Sequence, residues 1–386
     1  MRDRIVYLQY TNPAAYPPLQ HSSRILADAG WEVLFLGTGA RGADTLTFPP
    51  HGRIREKRLR FQPPGWRQKL HYLGYCGWVL AHVVWWRAGW VYASDLWSCP
   101  PALLASWWPG CEVLYHEHDS PAGGGGLFQR FCLWARRRLV QRAAVCVLPS
   151  EGRAKVFAAA NSPKRVEVVW NCPAREEVGP RKSCGTSERL LLVYHGSIGR
   201  ERLPLAVVKA MAQVGERMGL RIMGYETASS TGYLREIYAT ARALGIEARV
   251  EVLGTIPERS HLLVRCYEAD IGLTLMPLRS GDLNMNHMAG ASNKPFDYLS
   301  GGLALLVSDL PEWREMFVQP GYGLACNPDD PESIAAALRW FLEHPAEMRA
   351  MGEAGRQRIL AEWNYEARFT AIRRLLQKQP QSALKA

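Results

Sequence analysis

The sequence lacks the marks of several protein classes. Its nine cysteines are scattered and include no Cys-x-x-Cys pair, which is typical of reduced thiols in a cytosolic protein. No Asp-x-Asp motif occurs, and no Gly-x-Gly-x-x-Gly follows the first β-like run at Ile5–Leu8. The second absence argues against a dinucleotide-dependent dehydrogenase. No long apolar segment follows the first residues, so we expect a cytoplasmic protein without a secretory signal.

Acidic residues are scarce relative to basic ones. There are 36 Asp and Glu against 47 Lys and Arg, which gives a net charge of +11. Such a surface attracts anions, namely nucleotides, anionic lipid headgroups or nucleic acid. The basic residues form no known nucleic-acid recognition motif, so we expect no nucleic acid as a partner.

One long apolar stretch, residues 72–92, is about long enough to span a bilayer. Its basic side chains are His82 and Arg87 alone, but Arg87 lies near its end and three glycines interrupt it. We therefore expect a buried helix followed by a short strand at Trp90–Ala93, and no transmembrane helix.

Short apolar runs alternate with helical stretches, which predicts βαβ units and parallel sheets. A chain of 386 residues with 47% hydrophobic residues suits two α/β domains. The polar segment 174–188 contains Gly and Pro and is the predicted linker, so the predicted domains are residues 1–175 and 189–386. The predicted strands are Ile5–Leu8, Trp31–Leu36, Trp90–Ala93, Glu112–Tyr115, Ala144–Leu148, Leu190–Tyr194, Arg221–Met223, Arg249–Leu253, Ile271–Leu275 and Ala304–Val307.

An ordered series of motifs runs through the second half. Its members are a strand ending in Gly before a basic residue, a strand ending in a Gly turn, a Val-x-x-Leu-Gly-x-Ile-Pro segment, and a Lys-Pro-Phe-Asp-Tyr block. They lie at Tyr194–Arg200, Arg221–Glu226, Val250–Pro257 and Ser292–Gly302. From about Leu190 to Phe369 this series resembles the retaining glycosyltransferases of family four, which have the GT-B fold.

The resemblance implies an architecture and an activity. The architecture is two Rossmann-like domains with parallel sheets facing each other across a cleft, and C-terminal helices that pack back toward the N-terminal domain. The activity is transfer of a sugar, of the hexosyl type, from a nucleoside diphosphate sugar to a hydroxyl group, with anomeric retention. The acceptor would be a sugar, a glycolipid or another hydroxyl compound, in polysaccharide, lipopolysaccharide or glycolipid assembly. Since no Asp-x-Asp motif is present, we expect no metal and no cofactor besides the donor.

The block at Ser292–Gly302 holds the predicted donor site. Ser292 or Asn293 suits an N-cap, and the following proline suits a first helical turn, so a short helix would turn its positive end toward a diphosphate. Lys294 would add a point charge there, and Asp297 could accept hydrogen bonds from ribose hydroxyls. The alternative is an ordinary capped helix whose Lys294 and Asp297 are solvated.

Arg200 and Arg202 follow the glycine turn at Gly196. A guanidinium donates two parallel hydrogen bonds to phosphate, and fixed cations stabilise the charge of a departing diphosphate. We therefore predict that Arg200 acts in catalysis with Lys294, and that Arg202 binds the donor. The arginines could instead form a surface loop that pairs with Glu201. The other predicted donor-binding residues are Gly196, Ser197, Gly224 and Ile256.

The first half matches the same family more loosely. Ala27–Val33, Leu114–Asp119 and Ala143–Glu151 are similar to family elements. The family places a histidine near the reacting centre, and His118 is the match, with His116 as the alternative because the register is ambiguous by two residues. Two imidazoles on one strand could also hold a metal, but no third ligand is evident, so we predict no metal site.

Two departures from the family pattern bear on specificity. The usual Glu-x7-Glu pair is incomplete, because Asp297 replaces the second Glu and the first position is Ala289. The loop at Tyr10–Pro18 lacks the customary glycine pair and carries three prolines. The donor sugar and the mode of acceptor recognition are therefore left open.

Basic and aromatic residues are concentrated in the first half. Lysine and arginine beside tryptophan suit the interface of an anionic membrane, which predicts peripheral docking on the inner face of the cytoplasmic membrane. The alternative is core tryptophans with solvated charge. The residues are Arg53, Arg55, Lys57, Arg58, Arg60, Arg136, Arg137 and Arg138, with Trp66, Trp78, Trp85, Trp86, Trp90, Trp97, Trp107 and Trp108.

The run Gly123–Gly126 is either a mobile loop over the acceptor or a plain surface loop.

Other functions remain open on the sequence. A sugar-nucleotide epimerase or a phosphorylase can share this architecture, although no lysine context typical of bound pyridoxal is present. The missing first Glu also allows a catalytically degenerate protein that serves as a binding partner.

Overall fold

A computed structural model describes residues 3–40, 45–121, 123–180, 189–227 and 229–377. The described chain divides into two units. The first contains the chain up to Asn171 together with the segment from Tyr365 onward, and the second runs from Cys172 to Asn364. Residues 181–188 of the predicted linker lie outside the described residues.

The first unit is built on a sheet of seven parallel strands in the order β3-β2-β1-β4-β5-β6-β7. The strands are β1 (Arg4–Gln9), β2 (Glu32–Thr38), β3 (Ile54–Leu59), β4 (Trp90–Ser94), β5 (Glu112–His116), β6 (Val145–Leu148) and β7 (Val166–Val168). The helices between them are α1 (Pro17–Asp28), α2 (Trp66–Trp85), α3 (Cys99–Ala105), α4 (Leu127–Arg142) and α5 (Glu151–Asn161). The central strands β1, β2 and β4 are buried along almost their whole length and mostly apolar because helices cover both faces of the sheet.

The second unit is built on six parallel strands in the order β10-β9-β8-β11-β12-β13. The strands are β8 (Leu190–Ile198), β9 (Met218–Glu226), β10 (Val250–Gly254), β11 (Ile271–Thr274), β12 (Ala304–Ser308) and β13 (Gly323–Cys326). The helices are α6 (Leu205–Gln213), α7 (Tyr233–Ala243), α8 (Arg259–Tyr267), α9 (Leu283–Asn286), α10 (Lys294–Ser300), α11 (Pro311–Trp313), α12 (Pro331–Glu343) and α13 (Pro345–Ala361). The predicted α/β class with two parallel sheets is confirmed.

After the second unit the chain returns to the first unit. Two helices follow, α14 (Tyr365–Arg368) and α15 (Thr370–Gln377). Tyr365, Ile372 and the intervening Phe369 lie in the same core as residues of β1, β2 and β4. The expected packing of C-terminal helices on the N-terminal domain is confirmed. The boundary differs from the predicted domain 189–386, because the apolar side of the last helices is buried against the first sheet.

Helix α2 differs from the buried helix that we expected. Its buried side is formed by Tyr72, Tyr75, Val79 and Val83, while Trp66 and Trp85 are 67% and 76% exposed. The following strand β4 lies as predicted. Among the residues that the structure describes, no helix combines the length and apolar character needed to cross a membrane.

In both sheets the strand order reverses beside the first strand. The reversal falls between β1 and β4 in the first unit, and between β8 and β11 in the second. In open parallel sheets, ligands bind beyond the carboxyl ends of the strands at such a point. These two places are therefore where functional residues are expected.

Candidate functional site

The carboxyl ends of β8 and β9 pass very close to each other. Gly196 and Gly224 have φ values of +106° and +142°, and a Cβ on Gly224 would lie 1.8 Å from the carbonyl oxygen of Gly196. Only glycine fits this approach. Because β8 pairs with β11 through Leu192 and Val193 alone, the later residues of β8 border the switch point of the second sheet.

Lys294 fills the space beside this glycine turn. It begins α10 and is 5% exposed, and a Cβ on Gly196 would lie 3.3 Å from its Cε and 3.5 Å from its Nζ. Its Nζ lies 5.5 Å from the ring centroid of Tyr194. Burial, with the nearby charge of Arg202, lowers the pKa of Lys294 to about 7. The amine can therefore gain a proton near neutral pH when an anion approaches.

Asp297 lies on the same short helix and is fully buried in an ion pair. Arg259 of α8 donates from Nη2 to Asp297 Oδ1 at 2.7 Å and from Nη1 to Oδ2 at 3.2 Å, and it also donates from Nε to Glu177 Oε1 at 2.7 Å. His195 Nε2 lies 3.4 Å from Asp297 Oδ2. Burial alone would raise the pKa of Asp297, but Arg259 and His195 bring it below its ordinary value. The carboxylate predicted to bind ribose is thus occupied by protein groups.

The neighbours of Lys294 also differ from the predicted arrangement. Asn293 takes the N-cap position, yet its side chain makes no capping bond and instead donates from Nδ2 to Asp297 Oδ2 at 3.2 Å. The buried hydroxyl of Ser292 has no hydrogen-bond partner in the described part of the chain. Ile256 is half-buried in the loop between β10 and α8.

The two predicted arginines line a cavity of about 550 Å³. Arg202 donates from Nη1 to Ser197 Oγ at 2.9 Å. Arg200 donates from Nη2 to Glu236 Oε1 at 2.5 Å and stacks 4.9 Å from the ring centroid of Tyr233. Arg200 therefore pairs with a residue of α7 and not with Glu201. The other lining residues include Ile198, Gly199, Thr227, Ser229, Ser230 and Thr231.

The structure brings five of the predicted donor-site residues together at one strand end, namely Gly196, Ser197, Arg202, Gly224 and Lys294. Three residues that sequence reasoning did not assign complete the surroundings: His195, Arg259 and Glu177. His195 directly precedes the glycine of the strand-end motif, which is a signal that could have found it. Nothing in the sequence pairs Arg259 or Glu177 with Asp297, because the three are far apart along the chain.

A second polar cluster lies at the switch point of the first sheet. Asp95 follows β4, and its Oδ1 accepts from the backbone N–H of His118 at 2.9 Å while its Oδ2 accepts from Gln9 Nε2 at 3.5 Å. Gln9 Oε1, Ser94 Oγ, His116 Nε2 and His118 Nε2 are buried with no hydrogen-bond partner among the described residues. Buried polar atoms usually have partners, so this cluster suits a ligand that is rich in hydroxyl groups.

The two histidines of this cluster are neutral and held in place. Their ring centroids are 3.9 Å apart, Tyr92 Oη is hydrogen-bonded to His116 Nδ1, and Arg153 Nη1 donates to the carbonyl oxygen of His118 at 2.6 Å. Burial lowers the pKa of His116, and it lowers that of His118 to about 3 with help from Arg153. Over the described residues, no group of three or more metal-ligating side chains is present.

Asp95 has an unusual backbone conformation. Its φ is 61° and its ψ is 179°. Residues other than glycine avoid this region of backbone conformation. Withdrawal from solvent raises the pKa of its half-buried carboxyl to about 7, and the Asp119 carboxylate adds to the shift. Sequence reasoning missed Asp95, although it lies two residues beyond the predicted strand Trp90–Ala93.

An aromatic-walled cavity of about 400 Å³ also lies in the first unit. The rings of Trp97 and Phe128 stack with centroids 5.5 Å apart, and Tyr10 contacts Tyr72 edge-on. The loop after β1, expected to differ from the family pattern, supplies Tyr10 and Thr11 to its wall. Polar lining comes from Thr38, Gln62, Gln68 and His71.

Two family models match the sequence, one in each half. A glycosyl transferase 4-like domain matches residues 19–172, and a glycosyl transferase-like model matches residues 208–374. Together the two matches cover most of the chain. No curated protein sequence matches it.

Solved structures with the same fold cover almost the whole chain. Sucrose-phosphate synthase (tll1590) from Thermosynechococcus elongatus is 16% identical with a TM-score of 0.76, over 98% of this chain and 99% of that chain. Anabaena Alr3699/HepE in complex with UDP and glucose is 14% identical with a TM-score of 0.71, over 97% and 100%. WaaG, a glycosyltransferase involved in lipopolysaccharide biosynthesis, is 14% identical with a TM-score of 0.65, over 95% and 98%.

Proposed function

We propose that this chain, a glycosyltransferase with the GT-B fold, transfers a sugar from a nucleoside diphosphate sugar to a hydroxyl group. In this proposal the sugar is of the hexosyl type and its anomeric configuration is retained, as the resemblance to family four implies. The donor class is supported by the relatives whose structures contain UDP, UDP-glucose or UDP-2-fluoro glucose.

The observation that carries the proposal is the meeting of Arg202 and Lys294 at the glycine turn of Gly196. Breaking the bond between sugar and phosphate builds negative charge on the departing diphosphate. Fixed cations in a site withdrawn from water stabilise that charge without having to reorganise. Two protein cations can supply this stabilisation, so we propose transfer without a metal ion.

The remaining donor-site residues are assigned supporting roles. Asp297 keeps Arg259 and His195 in place behind Lys294 and so acts as a positioning residue. The buried hydroxyl of Ser292, which has no partner among the described residues, and the half-buried Ile256 are proposed contacts for the nucleotide. Asn293 holds Asp297 in place. Arg200 would reach the diphosphate after exchanging its partner Glu236 for the ligand.

On the acceptor side we propose that the cluster of Gln9, Asp95 and His118 binds the hydroxyl that attacks the donor. Neutral His118 can share a hydrogen bond with a hydroxyl group, and the carboxyl of Asp95 can accept one. A sugar or glycolipid headgroup would satisfy the buried polar atoms that have no partner within the described chain. The aromatic cavity beside Tyr10 suits the apolar face of such an acceptor.

The test is a thermal shift measurement with UDP, GDP, ADP and their common sugars. A ligand that binds the native state alone raises the melting temperature with concentration. We expect one nucleotide base to raise it for the wild type, and the rise to shrink for Arg202→Gln and Lys294→Met. Lys209→Met, which changes an exposed lysine of α6, is the matched control. Asp297→Ala is a poor choice, because breaking the buried ion pair between Asp297 and Arg259 would itself destabilise the protein by about 3–5 kcal/mol.

No shift with any nucleotide would favour the alternative of a catalytically degenerate binding partner, which the alanine at position 289 motivates. If a nucleotide sugar raises the melting temperature and is converted to a product in the absence of an acceptor, an epimerase would be favoured. Transfer to an added acceptor would support the proposed reaction.

We also propose a location at the inner face of the cytoplasmic membrane. The cysteines in the described part of the chain are all free thiols, in keeping with a reducing compartment. An acceptor carried by a membrane lipid would bring the enzyme to that surface.

A further inference from the structure

Three helices of the first unit form one layer over the same side of its sheet. Tyr75 of α2, Leu103 of α3 and Leu139 of α4 share one hydrophobic core with Val6 and Tyr115 of the strands. The outward sides of α2, α3 and α4, with the turn that follows α3, therefore form one continuous surface, which we call the helical face.

The outward side of α2 carries an apolar stripe, which is unusual for a helix whose other side is already buried. The exposed positions of this stripe follow a spacing of three and four residues and contain tryptophan, leucine, glycine, alanine and valine. They are Trp66, Leu70, Leu73, Gly77, Ala81 and Val84. A helix of this kind normally presents polar residues to water, so this stripe calls for a partner.

The helix α4 presents aromatic and basic side chains together. Leu127, Phe131 and Trp134 are exposed at helical spacing, and the last two rings stack with centroids 5.9 Å apart. After α3, Trp107 and Trp108 are also exposed, and the Arg142 guanidinium lies 5.5 Å from the centroid of the Trp107 ring. Arg136, predicted as part of a surface cluster, is instead buried against Glu117.

The helical face has positive charge only. None of the three helices contains an aspartate or a glutamate. The exposed cations on α2 and α4 are Arg67, Lys69, Arg130, Arg137, Arg138 and Arg142. Exposed tryptophan and leucine beside such cations fit the headgroup region of an anionic bilayer, where apolar rings enter and guanidinium groups meet phosphates. Two copies of this face would repel each other.

We propose that the helical face is a membrane-docking surface that lies flat on anionic lipid. It inserts the side chains of Trp66, Leu70, Leu73 and Trp134 at headgroup depth and places Arg137 and Arg138 against lipid phosphates. This surface rests on the membrane location proposed above but not on the transfer reaction. Failure to bind vesicles would therefore leave nucleotide binding and sugar transfer unaffected, and the two failures are distinguishable.

The experiment is co-sedimentation of the full chain with vesicles of phosphatidylcholine, with and without phosphatidylglycerol, at low and at high salt. We expect binding to the anionic vesicles that weakens with salt. Removing Arg137 and Arg138 by substitution with glutamine should weaken it about fivefold per charge. Leu70→Ser combined with Leu73→Ser should weaken it at least tenfold at both salt concentrations.

Matched controls separate the surface from bulk charge and hydrophobicity. Arg373→Gln with Arg374→Gln removes an exposed pair of arginines from α15, and Leu244→Ser with Val264→Ser removes exposed apolar residues of the second unit. Both control variants should bind like the wild type. The proposal would be overturned if the control variants lost as much vesicle binding as the helical-face variants, or if the wild type bound neutral vesicles as well as anionic ones. It would also be overturned if the wild type did not bind anionic vesicles at low salt, or if the leucine substitutions broke a dimer.

Discussion

Asp95 lies at the switch point of the first sheet with a backbone conformation that favours glycine and a carboxyl group withdrawn from water. Each feature lowers the stability of the folded chain, and a strained residue with a raised pKa is typical of a functional position. The backbone strain costs about 1–3 kcal/mol. The residue therefore offers a test in which stability and activity change in opposite directions.

We expect Asp95→Gly to raise the free energy of unfolding by about 1 kcal/mol, because strain relief exceeds the entropy cost of glycine. Transfer activity should fall at least tenfold. Since the folded pKa is raised, ionisation costs stability as pH rises from about 4 to about 7. Asp95→Asn should therefore gain more stability at about pH 8 than at about pH 5. Denaturant unfolding measures the two changes in stability. A destabilised Asp95→Gly protein would contradict a functional role for Asp95.

Lys294 makes nucleotide binding depend on pH. Its pKa of about 7 in the free protein should rise when a diphosphate lies beside it. Binding above neutral pH should then take up as much as one proton, and affinity should fall as pH increases through this region. Calorimetry in buffers of different ionisation enthalpy measures the uptake. Lys294→Met should bind more weakly and take up no proton, and an unchanged uptake in that variant would assign the proton to another group.

The glycine crossing of β8 and β9 shows how backbone, and not side chains, shapes the donor site. Gly224 and Gly254 both have positive φ values, but a Cβ on Gly224 would strike the Gly196 carbonyl while one on Gly254 would meet open space. We expect Gly254→Ala to cost about 1 kcal/mol of stability. Gly224→Ala should cost clearly more and weaken nucleotide binding. Thermal unfolding with and without nucleotide checks this, and equal losses would mean that the close approach is unimportant.

The elements that sequence patterns predicted and those they missed differ in position within the sheets. The predicted strands include all the inner ones, which are continuous apolar runs because helices cover both faces. The missed strands β3, β7 and β13 all lie at sheet edges. Edge strands are short or charged, and Ile54–Leu59 falls within the predicted basic cluster because it contains Arg55, Lys57 and Arg58.

The candidate sites were predictable to different degrees for a related reason. Glycines and basic residues at strand ends follow local motifs, so Gly196, Arg202 and Lys294 could be named before the structure. The partners of Asp297 and His118 come from distant parts of the chain, and no local pattern pairs them. Burial also changes the part a residue plays, as it does for Asp297, which binds Arg259.

The division of the molecule into two units makes a further prediction. Phe369 is buried in the core of the first unit, and Phe341 of α12 is buried in the core of the second. We expect Phe369→Ala to cost about 3–5 kcal/mol and to increase amide exchange in β1, β2 and β4. Phe341→Ala should cost a similar amount and increase exchange in the second sheet instead. Equal loosening of both sheets by either variant would mean that the units unfold as one.

The return of the chain to its first unit also bears on how the protein is made. Synthesis proceeds from the amino end, so all seven strands of the first sheet leave the ribosome before the second unit does. Their core still lacks Tyr365, Phe369 and Ile372 until the second unit has been synthesised. The unit that is made first is thus completed after the second, and during that interval the apolar surface that these residues cover in the folded unit is open to chaperones.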